Sequence, residues 1–300
     1  MKLGLCISGG GALGIGPLQF LRRLEKDLGK NKPIHKVVDA FAGTSTGSIA
    51  AAGLCNEMSA DALYDLYKEN LPKIFKRVSA GKILTSNYYR YDNSNLKKLL
   101  QEKFKKHMYQ FPKPIFIPAT FLNGKSIEKV WNRSDGDAEQ WFAVLSSCSA
   151  PTYFDTVTRP KTKEIYCDGG MWANDPIMVL EAGLVRHKEF KDNLRILSFN
   201  TGMDHPNTTF KDKSALGWGK YILDEWVART GLSGWYEACA NLGDENVFRV
   251  APKVDKKYAM DDLSLIDEVS DKWDELYDKI GQDVIDFINE VPPKKTKKKK

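Results

Sequence analysis

The chain has 300 residues, 42% hydrophobic and 28% charged, which is enough to bury one large core or two modest ones and lies outside the compositions of disordered or fibrous chains. The formal net charge is +6, but six lysines fall within residues 294–300; without them acidic and basic residues balance, which excludes a nucleic-acid footprint over the whole body. Five cysteines, Cys6, Cys55, Cys148, Cys167 and Cys239, are odd in number and far apart with no C-x-x-C pair, which argues against a metal site or a disulfide framework and for a reducing compartment.

Residues 3–7 (Leu-Gly-Leu-Cys-Ile) are apolar and predict a first buried strand. The run is too short for a secretory h-region, and no stretch approaches a membrane span, so a cytoplasmic location is expected. Ser8-Gly9-Gly10-Gly11-Ala12-Leu13-Gly14 follows, then residues 17–28 with Leu18, Leu21, Leu24 and Leu28 at helical spacing and Pro17 suited to a first turn. As a phosphate loop the glycines fail, because no Gly-Lys-Ser/Thr ends them. As a dinucleotide fingerprint Gly9-x-Gly11-x-x-Gly14 formally fits, with Asp39 as the ribose acid. As an oxyanion hole they fit well: adjacent glycines at a strand end expose backbone N–H groups with no side chains in the way.

Residues 37–42 predict a second buried strand and residues 48–55 an alanine-rich buried helix. Between them lies Gly43-Thr44-Ser45-Thr46-Gly47. A serine flanked by glycines at a strand-to-helix turn is the pattern of a nucleophile elbow, where the tight turn presents the hydroxyl and the helix start adds positive dipole character. The same five residues also occur in Ser/Gly-rich loops, so the flanking elements carry the argument. Residues 58–75 predict a helix that Pro72 breaks or kinks. Residues 79–93, with Tyr88, Tyr89 and Tyr91, predict a surface loop. Residues 95–107 predict a short amphipathic helix, and residues 114–122 and 125–131 a hairpin around Asn123-Gly124.

Residues 138–148 predict a helix stopped at Pro151. Residues 164–167 predict a short strand, followed at once by Asp168-Gly169-Gly170, a carboxylate at a strand end; alone, this is also what an ordinary turn aspartate looks like. A helix is expected over 176–187 and a buried strand over 194–199. Residues 214–242 predict helix rich in aromatics (Trp218, Tyr221, Trp226, Trp235, Tyr236), expected in the core, with a lipid-facing lid as the alternative. Residues 247–250 predict a last strand, and 263–291 a long amphipathic helix with Gly281 as a weak point. The expected organisation is one domain over 1–291, with its motifs within 3–202 and a helical part at 214–291, then a disordered lysine tail at 292–300.

Three islands now stand in order: Gly9-Gly10-Gly11-Ala12-Leu13-Gly14, Gly43-Thr44-Ser45-Thr46-Gly47 and Asp168-Gly169-Gly170. Together with Ser149-Ala150-Pro151-Thr152-Tyr153-Phe154, Asn174 and Pro176, this order resembles the patatin-like phospholipases. The resemblance implies a three-layer α/β/α fold with a central, mostly parallel sheet. It implies a lipid acyl hydrolase with Ser45 as nucleophile and Asp168 as proton acceptor. Gly9, Gly10 and Gly11 would form the oxyanion hole, Gly14, Gly43, Gly47, Gly169 and Gly170 would support it, and no cofactor is needed. The implied partner is a phospholipid or other acyl lipid at a membrane surface, with the lysine tail drawn to anionic lipid. One departure is Leu13, which stands where the family ordinarily has Arg or Lys. The rivals are a Ser45–Asp168–His205 triad of the α/β-hydrolase kind and a dinucleotide-binding oxidoreductase.

Overall fold

A computed structural model describes residues 1–78, 89–125, 127–202, 214–222, 231–254 and 256–291. Eight strands form one sheet: β1 (Lys2–Ile7), β2 (Ala40–Gly43), β3 (Ile115–Phe121), β4 (Glu128–Trp131), β5 (Val157–Thr158), β6 (Ile165–Asp168), β7 (Leu194–Phe199) and β8 (Val247–Val250). Their order is β5-β6-β3-β2-β1-β7-β8, with β4 also on β3. Strands β3, β2, β1, β7 and β8 run parallel. Strands β4 and β6 run antiparallel to β3, and β5 antiparallel to β6.

Each face of the sheet carries its own core. On one face α1 (Ile15–Leu28), α3 (Thr46–Cys55), α4 (Ala60–Ile74) and the C-terminal helix Ile266–Ile288 share one apolar cluster. There Phe20, Phe199, Trp273 and Tyr277 interlock edge to face and stacked. On the other face Ile177 and Leu180 of the helix Ile177–Leu184, and Ala238 of the helix Gly231–Leu242, pack on Cys6, Ala42 and Ile196. This is the expected three-layer α/β/α arrangement, built because the central strands are apolar on both faces and must be covered twice.

Several elements differ from expectation. Strand β2 begins at Ala40, and Ile34–Val37 is instead one helical turn, α2, whose His35 and Val38 carbonyls accept from Lys113 Nζ. Pro33 opens that turn, where a missing N–H costs nothing. Pro72 lies inside α4, in its last turn, and does not end it. Tyr91, expected on a surface loop, is buried against Phe75 and Phe154. Of the aromatics expected in the core at 214–242, Trp235 packs on the second cluster, but Trp218 and Tyr236 are exposed. All five cysteines are free and buried. The expectations for Tyr88, His205, Trp226 and the lysine tail at 292–300 lie outside the described residues. Among the described residues no helix is long and apolar enough to cross a membrane.

Candidate active site

Strand register brings the three motifs to one level. Ile7 pairs with Gly43 across β1 and β2, and Ala42 pairs with Phe116 across β2 and β3. Strand β6 enters from the opposite direction and sets Asp168 beside Ala119. Continuing the β1–β2 register two residues and the β2–β3 register three residues past the last pair puts Gly9, Ser45 and Ala119 in a row with Asp168, with β3 between Ser45 and Asp168 and strands about 4.8 Å apart.

Ser45 is the second of two residues between β2 and α3 and the N-cap of α3, with φ 52° and ψ −131°. This is left-handed backbone that costs a non-glycine residue on the order of 1–3 kcal/mol. The surroundings hold it there. Its N–H donates to Ser147 Oγ at 2.9 Å, and its carbonyl accepts from the Ser48 N–H at 2.8 Å and Oγ at 2.6 Å. A Cβ on Gly47 would strike the Ile7 and Ser8 carbonyls, and one on Gly43 the Gly47 carbonyl, so strand and helix meet only because both are glycine. Gly14 faces Thr46 and Tyr67 in the same way, and Gly169 faces Pro118.

Asp168 is only 4% exposed. Burial pushes its carboxyl up to about 7; the neighbouring Ser45 hydroxyl and a hydrogen bond from the Gly170 N–H (2.6 Å) pull the other way. The structure therefore joins the two residues that the sequence singled out. Cys148 also lines the cleft, but burial holds its thiol far above the ordinary range, so it stays protonated and inert.

The glycine loop corrects one expectation. The Gly9 N–H is already spent on the Asn174 carbonyl at 3.0 Å, so Gly9 does not offer a donor to the cleft. Gly10 and Gly11 line the cleft, and among the described residues no acceptor takes either N–H. Gly11 has φ 58°, and a Cβ there would strike the Met260 carbonyl. That carbonyl accepts from the Ala12 N–H at 2.7 Å and braces the loop from the far end of the chain. Leu13, which stands where the family ordinarily has Arg or Lys, is buried in the apolar core.

The cleft, counted together with the open solvent at its mouth, spans about 960 Å³. Beyond Ser45 its walls are Ile49, Leu66, Leu71, Ile74, Phe75 and Leu96, an apolar channel. Asp39, the ribose acid of the dinucleotide alternative, lies before β2, at the end of the sheet opposite the glycine loop. There its carboxylate accepts from the Leu3 N–H at 2.9 Å. Ser147, Tyr67 and Met260 were not found from the sequence. The run Ser146-Ser147-Cys148-Ser149 in an otherwise apolar helix end was the available signal for Ser147, since small polar residues there mark close approach.

The patatin-like phospholipase family matches this chain over residues 5–181. A cUMP-AMP-activated phospholipase of Escherichia coli is 26% identical over 218 residues, covering 66% of this chain and 64% of that protein. A cGAMP-activated phospholipase of Escherichia coli strain TW11681 is 28% identical over 190 residues, covering 57% and 52%. The chain thus spans between half and two thirds of the lengths of these curated relatives. Among solved structures, a chain of the complex of SpcU with ExoU from the type III secretion system of Pseudomonas aeruginosa superposes with a TM-score of 0.48 at 15% identity, covering 96% of this chain and 53% of that one. With a match that spans both the glycine loop and the Asp168 strand, the chain belongs to the patatin-like phospholipase family.

Proposed function

We propose that this chain hydrolyses fatty acyl esters of membrane lipids with a Ser45–Asp168 dyad and an oxyanion hole made by Gly10 and Gly11. The observation that carries the proposal is a serine in strained elbow backbone sharing one cleft with a buried carboxyl that burial raises to about 7. An ordinary carboxylate is too weak a base at neutral pH; one raised that far is matched to the task.

Asp168 accepts the Ser45 proton as Oγ attacks the ester carbonyl. The tetrahedral oxyanion is met by the Gly10 and Gly11 N–H groups, which are fixed beforehand and need no reorganisation. Collapse breaks the ester bond, and protonated Asp168 returns the proton to the departing lysolipid alkoxide. The acyl chain remains on Ser45 with its tail along the Leu66–Leu71–Ile74 wall. Asp168 then deprotonates a water that attacks the acyl carbon, releasing the fatty acid and the serine. The enzyme works peripherally at a membrane surface, and as one domain over residues 1–291.

The test is product analysis by mass spectrometry after incubation with a mixed lipid extract, wild type against Ser45→Ala. It is run with and without cUMP-AMP and cGAMP, the nucleotides for which the two bacterial relatives are named. Free fatty acid and lysolipid are expected from the wild type only. Equal release by Ser45→Ala protein overturns the assignment.

A further inference from the structure

Asn174 is 9% exposed and lines the cleft. Its backbone carbonyl accepts from the Gly9 N–H. Among the described residues its side-chain amide makes no hydrogen bond. That amide, with no protein partner, opens onto the cleft and is available there to a water or a ligand. Its position says what that partner does. A Cβ on Gly9 would lie 2.5 Å from Asn174 Oδ1 and 3.0 Å from Ser45 Cβ, so amide and nucleophile crowd one point. A Cβ on Gly170 would lie 3.2 Å from Asn174 Oδ1 and 3.0 Å from Asp168 Oδ1, so the amide also stands beside the base.

From this placement we propose that the Asn174 side chain holds the water that releases the acyl group from Ser45, an inference that rests on the dyad proposed above. A half-turn of the amide exchanges its oxygen and nitrogen, and a water can meet either end while it donates to Asp168. One water on Asn174 and Asp168 is placed beside the acyl carbon on Ser45 Oγ. Asp168 takes one proton from it, its oxygen forms the new bond to the acyl carbon, and the bond to Ser45 Oγ breaks with the proton passed to that oxygen. The Gly10 and Gly11 donors serve both halves of the reaction, whereas Asn174 serves the second half alone. The deacylating water and the attacking serine thus have separate supports in one cleft.

The experiment uses 4-nitrophenyl hexanoate, whose good leaving group makes the first half fast, and a fluorophosphonate probe that reports Ser45 reactivity by itself. Asn174→Ala is expected to give a burst of about one nitrophenolate per protein, then turnover 30- to 100-fold below wild type. Probe labelling of Ser45 should stay within threefold, and intact-mass analysis should show hexanoyl protein in the variant only. Asn174→Ser, whose hydroxyl can still hold a water, should recover a good part of the turnover; it decides by the same two ratios if the alanine variant does not fold. The proposal is overturned if turnover is unchanged, or if labelling and turnover fall together with no acyl protein, the pattern of a distorted loop or a lost oxyanion donor. Failure of the dyad itself is distinguishable, because then Ser45→Ala would keep its turnover and the probe would not mark Ser45.

Discussion

Two buried aspartates, seven positions apart, occupy opposite faces of the sheet and invite comparison. Burial raises both carboxyls, Asp168 to about 7 and Asp175 to about 6. Asp168 faces the cleft, with a serine hydroxyl as partner and two amides of the glycine loop nearby. Asp175 faces the second core, where it accepts from the Ile177 N–H at 3.1 Å, lies 4.0 Å from the Cys6 thiol and feels the positive charge of Arg249. The thiol there is itself pushed up by burial and by Asp175, so it offers no nucleophile. Desolvation alone makes a carboxylate basic, and each aspartate has a serine hydroxyl beside it, Ser45 or Ser198; only the Asp168 side adds unpaired backbone donors and a way in.

The largest effect that can break this contrast is loss of the dyad. Ser45→Ala and Asp168→Ala should each lower acyl-ester turnover by about 10⁴-fold or more with circular dichroism unchanged, while Asp175→Asn keeps turnover within tenfold. Comparable losses from both aspartates would erase the distinction. Next, Gly11→Ala should lower kcat by about 10²–10³-fold, as expected for a disturbed oxyanion donor, because its Cβ meets the Met260 carbonyl; kcat and KM measured separately would show it.

The pH dependence sharpens the comparison. If Asp168 is the base, kcat/KM should rise with pH through about 7 and be about tenfold lower at pH 6 than on the plateau. Its folded-state pKa lies above its unfolded value, so its contribution to stability is present below about pH 4 and lost as pH rises through about 7. Asp168→Asn should therefore be more stable than wild type at pH 8, by up to about 4 kcal/mol, and no more stable at pH 4; denaturant melts at the two pH values decide it. Smaller again, Leu71→Trp should narrow the apolar wall and shift the ratio of long- to short-chain ester rates by about tenfold. The smallest effect belongs to His205→Ala, which a dyad tolerates within about threefold; a loss beyond a hundredfold would restore the triad.

Much of the site was legible because its demands are local. A serine between two glycines after an apolar strand reports a turn whose sterics depend on a few neighbouring residues, and the elbow stands where that pattern lies. The Asn123-Gly124 hairpin was legible for the same reason. Val37 misled because β-branching favours a strand, whereas Pro33 and the Lys113 ammonium held one helical turn there. Tyr91 misled because polar neighbours suggested a loop surface, while Phe75 and Phe154 arrived from distant segments to cover it. Gly9 looked equivalent to Gly10 and Gly11 until the Asn174 carbonyl took its N–H.

By itself the amino-acid sequence determined the motifs, their order and the turns that carry them, since bond rotation and close approach are settled within a few residues. Tertiary structure alone decided which carboxylate meets the serine, which glycine amides stay open to the cleft and which asparagine is left without a partner. Those outcomes depend on β6 pairing antiparallel with β3, and on Met260 returning from beyond β8 to the glycine loop. Such contacts are chosen by burial and hydrogen bonding across the whole chain, and no short stretch of it encodes them.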